Sequence, residues 1–115
     1  MKTQALIPSD IAKTIPPIYA QDGKGMDATV FVKLYTPMSG WTWFVTEYDA
    51  ASGDTFGYAM NISDLNGAEL GYMDINEMSA LKVRNFPAVE RDLHFKPCSL
   101  KEAIANQKQA HGLKD

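Results

Sequence analysis

Hydrophobic and polar residues alternate most regularly in two segments of the first half of the chain, 29–36 and 41–48. Both segments are rich in β-branched and aromatic residues, which is typical of strands. The short connection between them suits a β-hairpin, and symmetric closure would pair Leu34 with Trp43. One side of this hairpin is then almost entirely apolar and is predicted to face the core: Val30, Val32, Leu34, Trp41, Trp43 and Val45.

Further strands are predicted over 54–62, 68–73 and 91–96, where apolar and β-forming residues lie between turn-forming residues. The first four strands follow one another through short turns. We therefore expect an antiparallel meander of four to five strands, which places the protein in the α+β class.

Short helices are predicted at the N-terminus, after the fourth strand and at the C-terminus. Ser9 is the expected N-cap of the first, over 8–14, and Asp74 is the expected cap of the second. Ser99 and Glu102 have the spacing of a capping box, so the third helix should run to about Gln109. Residues 105–115 are interpreted as a helical tail that frays.

The length of the chain favours one domain over residues 1–115, since a chain of this length builds a single core. Cys98 is the one cysteine, which excludes an internal disulfide and fits a reducing compartment. No apolar stretch approaches the ~20 residues that cross a bilayer. We therefore expect a cytoplasmic protein without membrane contact, either a monomer or a weak homodimer.

Charge is distributed unevenly along the chain. Residues 27–77 contain eight acids and one base, whereas residues 78–115 contain seven bases and four acids. Such asymmetry can attract a charged partner, and the alternative is that the two halves neutralise each other within the fold. The acidic part supplies four candidate binding residues: Asp49, Asp54, Asp64 and Glu69.

Glu47 and Arg91 are the most informative charged residues. By strict alternation, Glu47 lies on the core side of its strand with Val45, and Arg91 lies on the same side as Leu93. A charge that points toward apolar neighbours is costly unless it is paired. We therefore predict that Glu47 and Arg91 form a partly buried ion pair, either as a structural pair or as a ligand clamp.

A second charged group is expected on the last strand, where alternation places Glu90, Asp92 and His94 on one side. These residues are candidates for acid/base chemistry, and a surface strand is the alternative. Neither their spacing nor that of Cys98 matches a metal-binding motif, so no metal or cofactor is expected.

The outer side of the predicted hairpin contains aromatic residues together with one lysine. Such a surface can stack bases of single-stranded nucleic acid, although one lysine among many acids attracts phosphate weakly. The alternatives are cover by another segment of the chain or contact with a protein partner. The candidate residues of this surface are Phe31, Lys33, Tyr35 and Phe44.

Four segments resemble the bacterial family of unknown function DUF2958: VKLYTP at 32–37, WTWFVTE at 41–47, ELGY at 69–72 and VERDLHF at 89–95. The resemblance covers about residues 5–104. It implies residence on plasmids, phages and integrative elements, and it implies no particular activity.

We therefore expect a non-enzymatic accessory of a mobile genetic element that docks a protein partner. One alternative is an anti-CRISPR or antirestriction inhibitor that presents its acidic residues to a nucleic-acid-binding groove. The other is a small enzyme that uses Glu47, Arg91 and His94, in which case one pocket should gather all three side chains.

Overall fold

The computed structural model describes residues 5–113, within which every pair of neighbouring strands is antiparallel. The strands are β1 (Thr29–Val30), β2 (Val32–Tyr35), β3 (Trp41–Tyr48), β4 (Asp54–Asn61), β5 (Asp64–Asp74), β6 (Lys82–Val83), β7 (Phe86–Pro87), β8 (Glu90–Arg91) and β9 (Cys98–Ser99). The helices are α1 (Ser9–Ala12), α2 (Ile75–Ala80) and α3 (Leu100–Ala110), with one 3₁₀ turn at Gly25–Asp27.

The main sheet has five strands in the order β5–β4–β3–β2–β8, and all neighbours are antiparallel. This confirms the predicted α+β fold with a meander. Leu34 pairs with Trp43, as symmetric closure of the first hairpin requires. β1 and β9 form a separate pair, and β6 and β7 form a small hairpin.

Both faces of the main sheet are covered, whereas the sequence predicted one buried face. The N-terminal segment and α2 cover the face that contains Val32, Leu34 and Val45; we call it the α2 face. The C-terminal helix covers the opposite face, which we call the α3 face. Its core is formed by Val30, Phe44, Met60, Leu100 and Ala103.

The predicted core side is correct at its centre and wrong at its ends. Trp41 is 39% exposed, and Trp43 is half-buried and stacks on it with ring centroids 5.9 Å apart. The chain leaves the sheet pattern at Phe31, between β1 and β2. In consequence Val30 packs on the α3 face, and Phe31 packs against the core of the α2 face. Strict alternation had assigned both residues to the opposite sides.

A β-bulge in β3 has the largest effect on the site. Val45 pairs with Gly57 and Glu47 pairs with Phe56, so Thr46 is an extra residue without a partner in β4. An extra residue reverses the side of the sheet on which every later side chain lies. Glu47 therefore lies on the α3 face and not with Val45 as predicted.

Two of the three predicted N-cap residues have that role in the structure. Asp74 accepts hydrogen bonds from the backbone N–H groups of Asn76 and Glu77, and Ser99 accepts one from Glu102. At α1 the N-cap position is Pro8, so Ser9 does not have the predicted capping role. No described helix is long and apolar enough to cross a membrane.

The C-terminal region differs from the prediction in two ways. The chain turns after β8, so the predicted strand over 91–96 is limited to Arg91, and a separate strand β9 follows. α3 continues to Ala110 and buries Gln107 against the sheet. Residues 105–110 are helical and lie within the segment that the sequence interpreted as a helical tail.

Candidate functional site

Glu47 is buried, with 4% of its surface exposed, and holds the loop that precedes β1. Its carboxylate oxygens accept hydrogen bonds from the backbone N–H groups of Tyr19, at 2.9 Å, and Gln21, at 2.7 Å. Hydrogen bonds to an ionised acceptor are among the stronger ones in proteins. Backbone amides thus satisfy the buried charge of Glu47.

The predicted ion pair between Glu47 and Arg91 is wrong. The Arg91 guanidinium donates to the backbone carbonyl of Ala5 at 2.8 Å. Between residues 5 and 113, the ion pair that forms is Lys33 with Asp92, with Nζ and Oδ2 3.7 Å apart. The bulge at Thr46 explains the error, because it turns Glu47 to the other face of the sheet.

Gln21 connects the same loop to the bulge. Its side-chain amide donates to the carbonyls of Thr29 and Thr46, both at 2.8 Å, and its Oε1 accepts from the N–H of Thr29 at 2.6 Å. The bulge leaves the Thr46 carbonyl outside the regular ladder, and Gln21 satisfies it. Tyr19 adopts a left-handed conformation with φ of 75°, which is unusual for a bulky residue. Glu47 stabilises this conformation through the Tyr19 N–H.

An exposed apolar patch lies on the part of the α3 face that the helix leaves uncovered. It consists of Tyr19, Phe56, Leu70 and Tyr72, and we call it the Tyr19–Tyr72 patch. Tyr19 is 69% exposed and Tyr72 is 61% exposed. The Phe56 and Tyr72 rings meet edge to face, with centroids 4.9 Å apart. Side chains of this type are enriched in protein interfaces.

A side-chain hydrogen bond with Tyr19 is the largest cause that raises the pKa of Tyr72 above its ordinary value. Partial desolvation and the nearby charges of Glu47 and Asp22 raise this pKa further. We expect Tyr19→Phe to lower the pKa of Tyr72, since the largest cause is removed. The ring carbon resonance of Tyr72, followed by NMR against pH, measures the change. Tyr58→Phe is the control, and an unchanged Tyr72 titration in Tyr19→Phe would contradict the contact.

β5 is the outer edge of the sheet, and the orientation of its backbone can be derived. The Ile75 N–H donates to the Gly53 carbonyl at 3.0 Å, so this pair is hydrogen-bonded. Hydrogen-bonded pairs alternate along an antiparallel ladder, so Gly71 also faces β4. Leu70 and Tyr72 therefore direct their N–H and C=O groups away from the sheet, where no described strand pairs with them.

The four predicted acidic residues lie on the β3–β5 side of the sheet, and all of them are exposed. Asp64 begins β5 and Glu69 lies near its middle, opposite Ala59. Asp49 and Asp54 lie at the far end, where the Asp49 N–H donates to the Asp54 carbonyl at 2.8 Å. No lysine or arginine occurs between Lys33 and Lys82. Asp64 and Glu69 thus lie on the edge strand β5, whereas Asp49 and Asp54 flank the turn between β3 and β4.

The residues of the predicted stacking surface do not form an open surface, because α3 covers part of them and leaves a groove. Phe44 is 1% exposed and cannot stack an external base, because Leu100 and Ala103 cover it. Lys33 and Tyr35 remain half-buried on the wall of the groove. The groove comprises two adjoining cavities of about 540 and 410 Å³.

The predicted acid/base residues are only partly brought together. Asp92 and His94 line the larger cavity, and the Asp92 carboxylate accepts a hydrogen bond from the backbone N–H of His94 at 2.9 Å. Glu90 is exposed and lies at the sheet edge, paired with Tyr35. Burial raises the pKa of Tyr35, and the charges of Glu90 and Asp92 raise it further.

Glu47, Arg91 and His94 line three different cavities. No single cavity therefore gathers these three side chains, as the hypothesis of an active site that uses all three requires. No group of three potential metal ligands converges within residues 5–113.

Sequence reasoning missed two sets of residues that the structure brings forward. Tyr19 and Tyr72 come from a loop and an edge strand, and no local motif connects them. Gln107 was assigned to a frayed tail, although the capping box at Ser99 and Glu102 predicted the helix that positions it. Gln107 lies four residues after the buried Ala103, on the same face of α3. The helical period could therefore have predicted its burial.

The comparisons with known proteins give one result that bears on classification. The family model "Protein of unknown function (DUF2958)" matches residues 6–113, which is nearly the whole chain. The chain therefore belongs to the DUF2958 family. No protein of curated function and no solved structure matches it.

Proposed function

We propose that this chain is a cytoplasmic, non-enzymatic accessory of a mobile genetic element that binds an extended, basic segment of a protein partner along β5. The observation that carries the proposal is the free outer edge of β5. Its outward backbone groups at Leu70 and Tyr72 lie beside the exposed Tyr19–Tyr72 patch.

The edge offers the two components of strand addition. Outward N–H and C=O groups provide backbone hydrogen bonds to an added strand, and neighbouring side chains provide selectivity. Natural proteins usually protect such an edge by a bulge, a proline or an inward-pointing charge. β5 has eleven residues and contains no proline; its pairing with β4 is irregular over residues 64–69 and regular from Glu69 to Asp74, where an exposed leucine and tyrosine lie. These features support a role as a docking strand.

The charge of the edge supports a basic partner segment. Asp64 and Glu69 lie on β5, and Asp22 and Glu47 act electrostatically on Tyr72. With no base between Lys33 and Lys82, nothing in β3–β5 neutralises these carboxylates. A second copy of the chain would place one acidic strand against another, which is unfavourable. A strand with alternating lysine or arginine residues would instead be attracted.

The proposed biological context rests on the sequence, and the preference for binding over catalysis rests on the positions of the charged residues. Residence on a mobile element is an inference from the sequence resemblance. The separation of Glu47, Arg91 and His94 favours binding over catalysis. The acidic edge also favours one form of the proposal, in which the partner is a nucleic-acid-binding protein of the host. The carboxylates would then occupy basic residues that otherwise contact phosphate.

Leu70→Pro tests the docking strand directly. Proline removes the outward N–H of residue 70 without removing a hydrogen bond to β4, so the sheet should remain folded. The probe is a fluorescent peptide of alternating lysine and threonine, and binding is measured by anisotropy at low salt. We expect the wild-type chain to bind it and Leu70→Pro to bind at least about tenfold more weakly.

Leu70→Ala is the matched control, since it shortens the side chain and keeps the N–H; it should lose clearly less affinity than Leu70→Pro. A peptide of alternating glutamate and threonine should not bind. Equal binding of both peptides, or of the proline and wild-type chains, would contradict the proposal. Self-association of the chain through β5, detected by sedimentation, would also contradict the proposal, because the strand added to β5 would then come from a second copy of the chain.

A further inference from the structure

A small cavity lies beside the Tyr19–Tyr72 patch, between the sheet and the loop that precedes β1. Its volume is about 80 Å³, which leaves room for a small polar group. Two of its lining residues, Phe56 and Leu70, also belong to the patch. The other lining residues include Asp22 and Gly23 of the loop and Thr46 and Glu47 of β3. The cavity therefore adjoins the surface along which a strand added to β5 would lie.

The walls of this cavity contain negative charge that no described cation neutralises. Glu47 is buried and Asp22 is exposed, and no lysine or arginine within residues 5–113 lies within 4.0 Å of either carboxylate. Lys24 is exposed on the same loop and does not line the cavity. Each Glu47 oxygen accepts one backbone N–H, and a carboxylate oxygen can accept about two. The cavity thus favours a cation that also donates hydrogen bonds.

The same two carboxylates act on the exposed patch. A side-chain hydrogen bond with Tyr19 and partial desolvation raise the pKa of Tyr72, and the charges of Glu47 and Asp22 raise it further. The faces of aromatic rings also attract cations. Carboxylate charge and exposed tyrosine rings therefore favour a basic side chain at the same place.

Strand pairing places the cavity within reach of a side chain on an added strand. Leu70 pairs with Tyr58, and Tyr58 pairs with the buried Phe44, so Leu70 points to the α3 face. A residue paired with Leu70 on an added strand would point to the same face. Neighbouring strands lie about 4.8 Å apart, so this side chain must pass over Leu70 to enter the cavity. A long side chain is needed for this.

We propose that the cavity receives the guanidinium group of an arginine in the strand that binds β5; this inference rests on the proposed function and names a residue of the partner. The arginine stem would cross Leu70, and the guanidinium would lie beside Phe56. Its N–H groups would point toward the Asp22 and Glu47 carboxylates. Arginine fits better than lysine, because its guanidinium is planar, stacks on aromatic rings and is more weakly hydrated.

The test uses the full chain and three versions of the lysine–threonine peptide, which differ at one central position: lysine, arginine or citrulline. Citrulline has the length and the planar end group of arginine without its charge. Binding is measured by anisotropy at low salt. We expect the arginine peptide to bind at least about fivefold more tightly than the citrulline peptide, and also more tightly than the lysine peptide. Arginine in place of citrulline should shift the amide resonances of Gly23 and Thr46 in ¹⁵N-resolved spectra.

Asp22→Asn separates binding in the cavity from general attraction to an acidic surface. Asp22 is exposed, so the stability in urea unfolding should stay near that of wild type. The ratio of arginine-peptide to citrulline-peptide affinity should fall about threefold, since one of the two carboxylates is neutralised. Asp27→Asn is the matched control, because Asp27 is exposed, lies five residues further along and does not line the cavity. Its affinity ratio should equal that of wild type.

Equal affinity of the arginine and citrulline peptides, with both still weakened by Leu70→Pro, would overturn the arginine site and leave the docking strand in place. An equal fall of the affinity ratio in Asp22→Asn and Asp27→Asn would overturn it as well, because the attraction would then be general. Absence of binding by all three peptides would overturn both the arginine site and the proposed function.

Discussion

Gly57→Ala is expected to destabilise the protein by about 3 kcal/mol or more, because backbone atoms surround the site of the new methyl group. A Cβ at this position would overlap the carbonyl oxygen of Phe44 and would lie 3.1 Å from the Cα of Val45. Neither atom can rotate away as a side chain would. Since Val45 is the last paired residue before the bulge, the substitution should also disturb Thr46 and Glu47. Urea unfolding, followed by circular dichroism, measures the loss.

Gly71→Ala is the matched control for this prediction. Gly71 pairs with Gly57 across β4 and β5, but nothing lies within 4 Å of the Cβ that alanine would add. Its free energy of unfolding should change by less than about 1 kcal/mol, or rise slightly, since alanine restricts the unfolded chain. Equal stabilities of the two variants would show that β3 and β4 do not approach closely at Gly57.

Glu47→Gln is expected to lower the free energy of unfolding by about 3 kcal/mol, through the loss of charged hydrogen bonds in a buried position. The amide keeps one acceptor oxygen, while its NH₂ group meets either the Tyr19 or the Gln21 N–H. One donor then remains unsatisfied, and the left-handed conformation of Tyr19 loses its support. Urea unfolding measures the stability, and amide hydrogen exchange at Tyr19 and Gln21 locates the change.

Glu69→Gln is the control, because it removes a carboxylate of the same type from an exposed position on β5. Surface substitutions of this kind usually change stability by less than about 0.5 kcal/mol. Slow exchange at Tyr19 and Gln21 in Glu47→Gln, equal to that of wild type, would mean that the carboxylate does not hold the loop.

The parts of the fold that follow from local rules could be predicted from the sequence. The hairpin register at Leu34 and Trp43 follows from loop length and alternation, and the helix caps at Asp74 and Ser99 follow from short side chains at fixed spacing. Each of these features depends on residues that are close in the chain. They therefore needed no knowledge of the tertiary structure.

The candidate site depends on features that alternation cannot show. The bulge at Thr46 has no sequence marker within β3, and Gly57, which pairs with the preceding Val45, lies on the next strand. A single inserted residue moved Glu47 to the other face and removed the predicted pair with Arg91. Cover of the α3 face by a distant helix likewise turned Phe44 from a proposed contact residue into core. Errors of this kind come from long-range packing.

The bulge also explains how the fold supports an exposed patch. The Glu47 carboxylate and the Gln21 amide hold the loop that presents Tyr19. Tyr19 in turn has the largest effect on the pKa of Tyr72, which lies on the outer strand β5. The conformational cost at Tyr19 is thus offset by buried hydrogen bonds, as is common where a chain positions a residue for binding.

Amide hydrogen exchange along β5 tests the docking strand most directly, because it reads each backbone N–H separately. In the free protein, Gly71 and Met73 should be protected by their bonds to β4, whereas Leu70 and Tyr72 should exchange quickly. Addition of the lysine–threonine peptide should slow exchange at Leu70 and Tyr72 and leave Gly71 and Met73 unchanged. Protection of Leu70 and Tyr72 in the free protein, or their continued fast exchange with saturating peptide, would contradict the account.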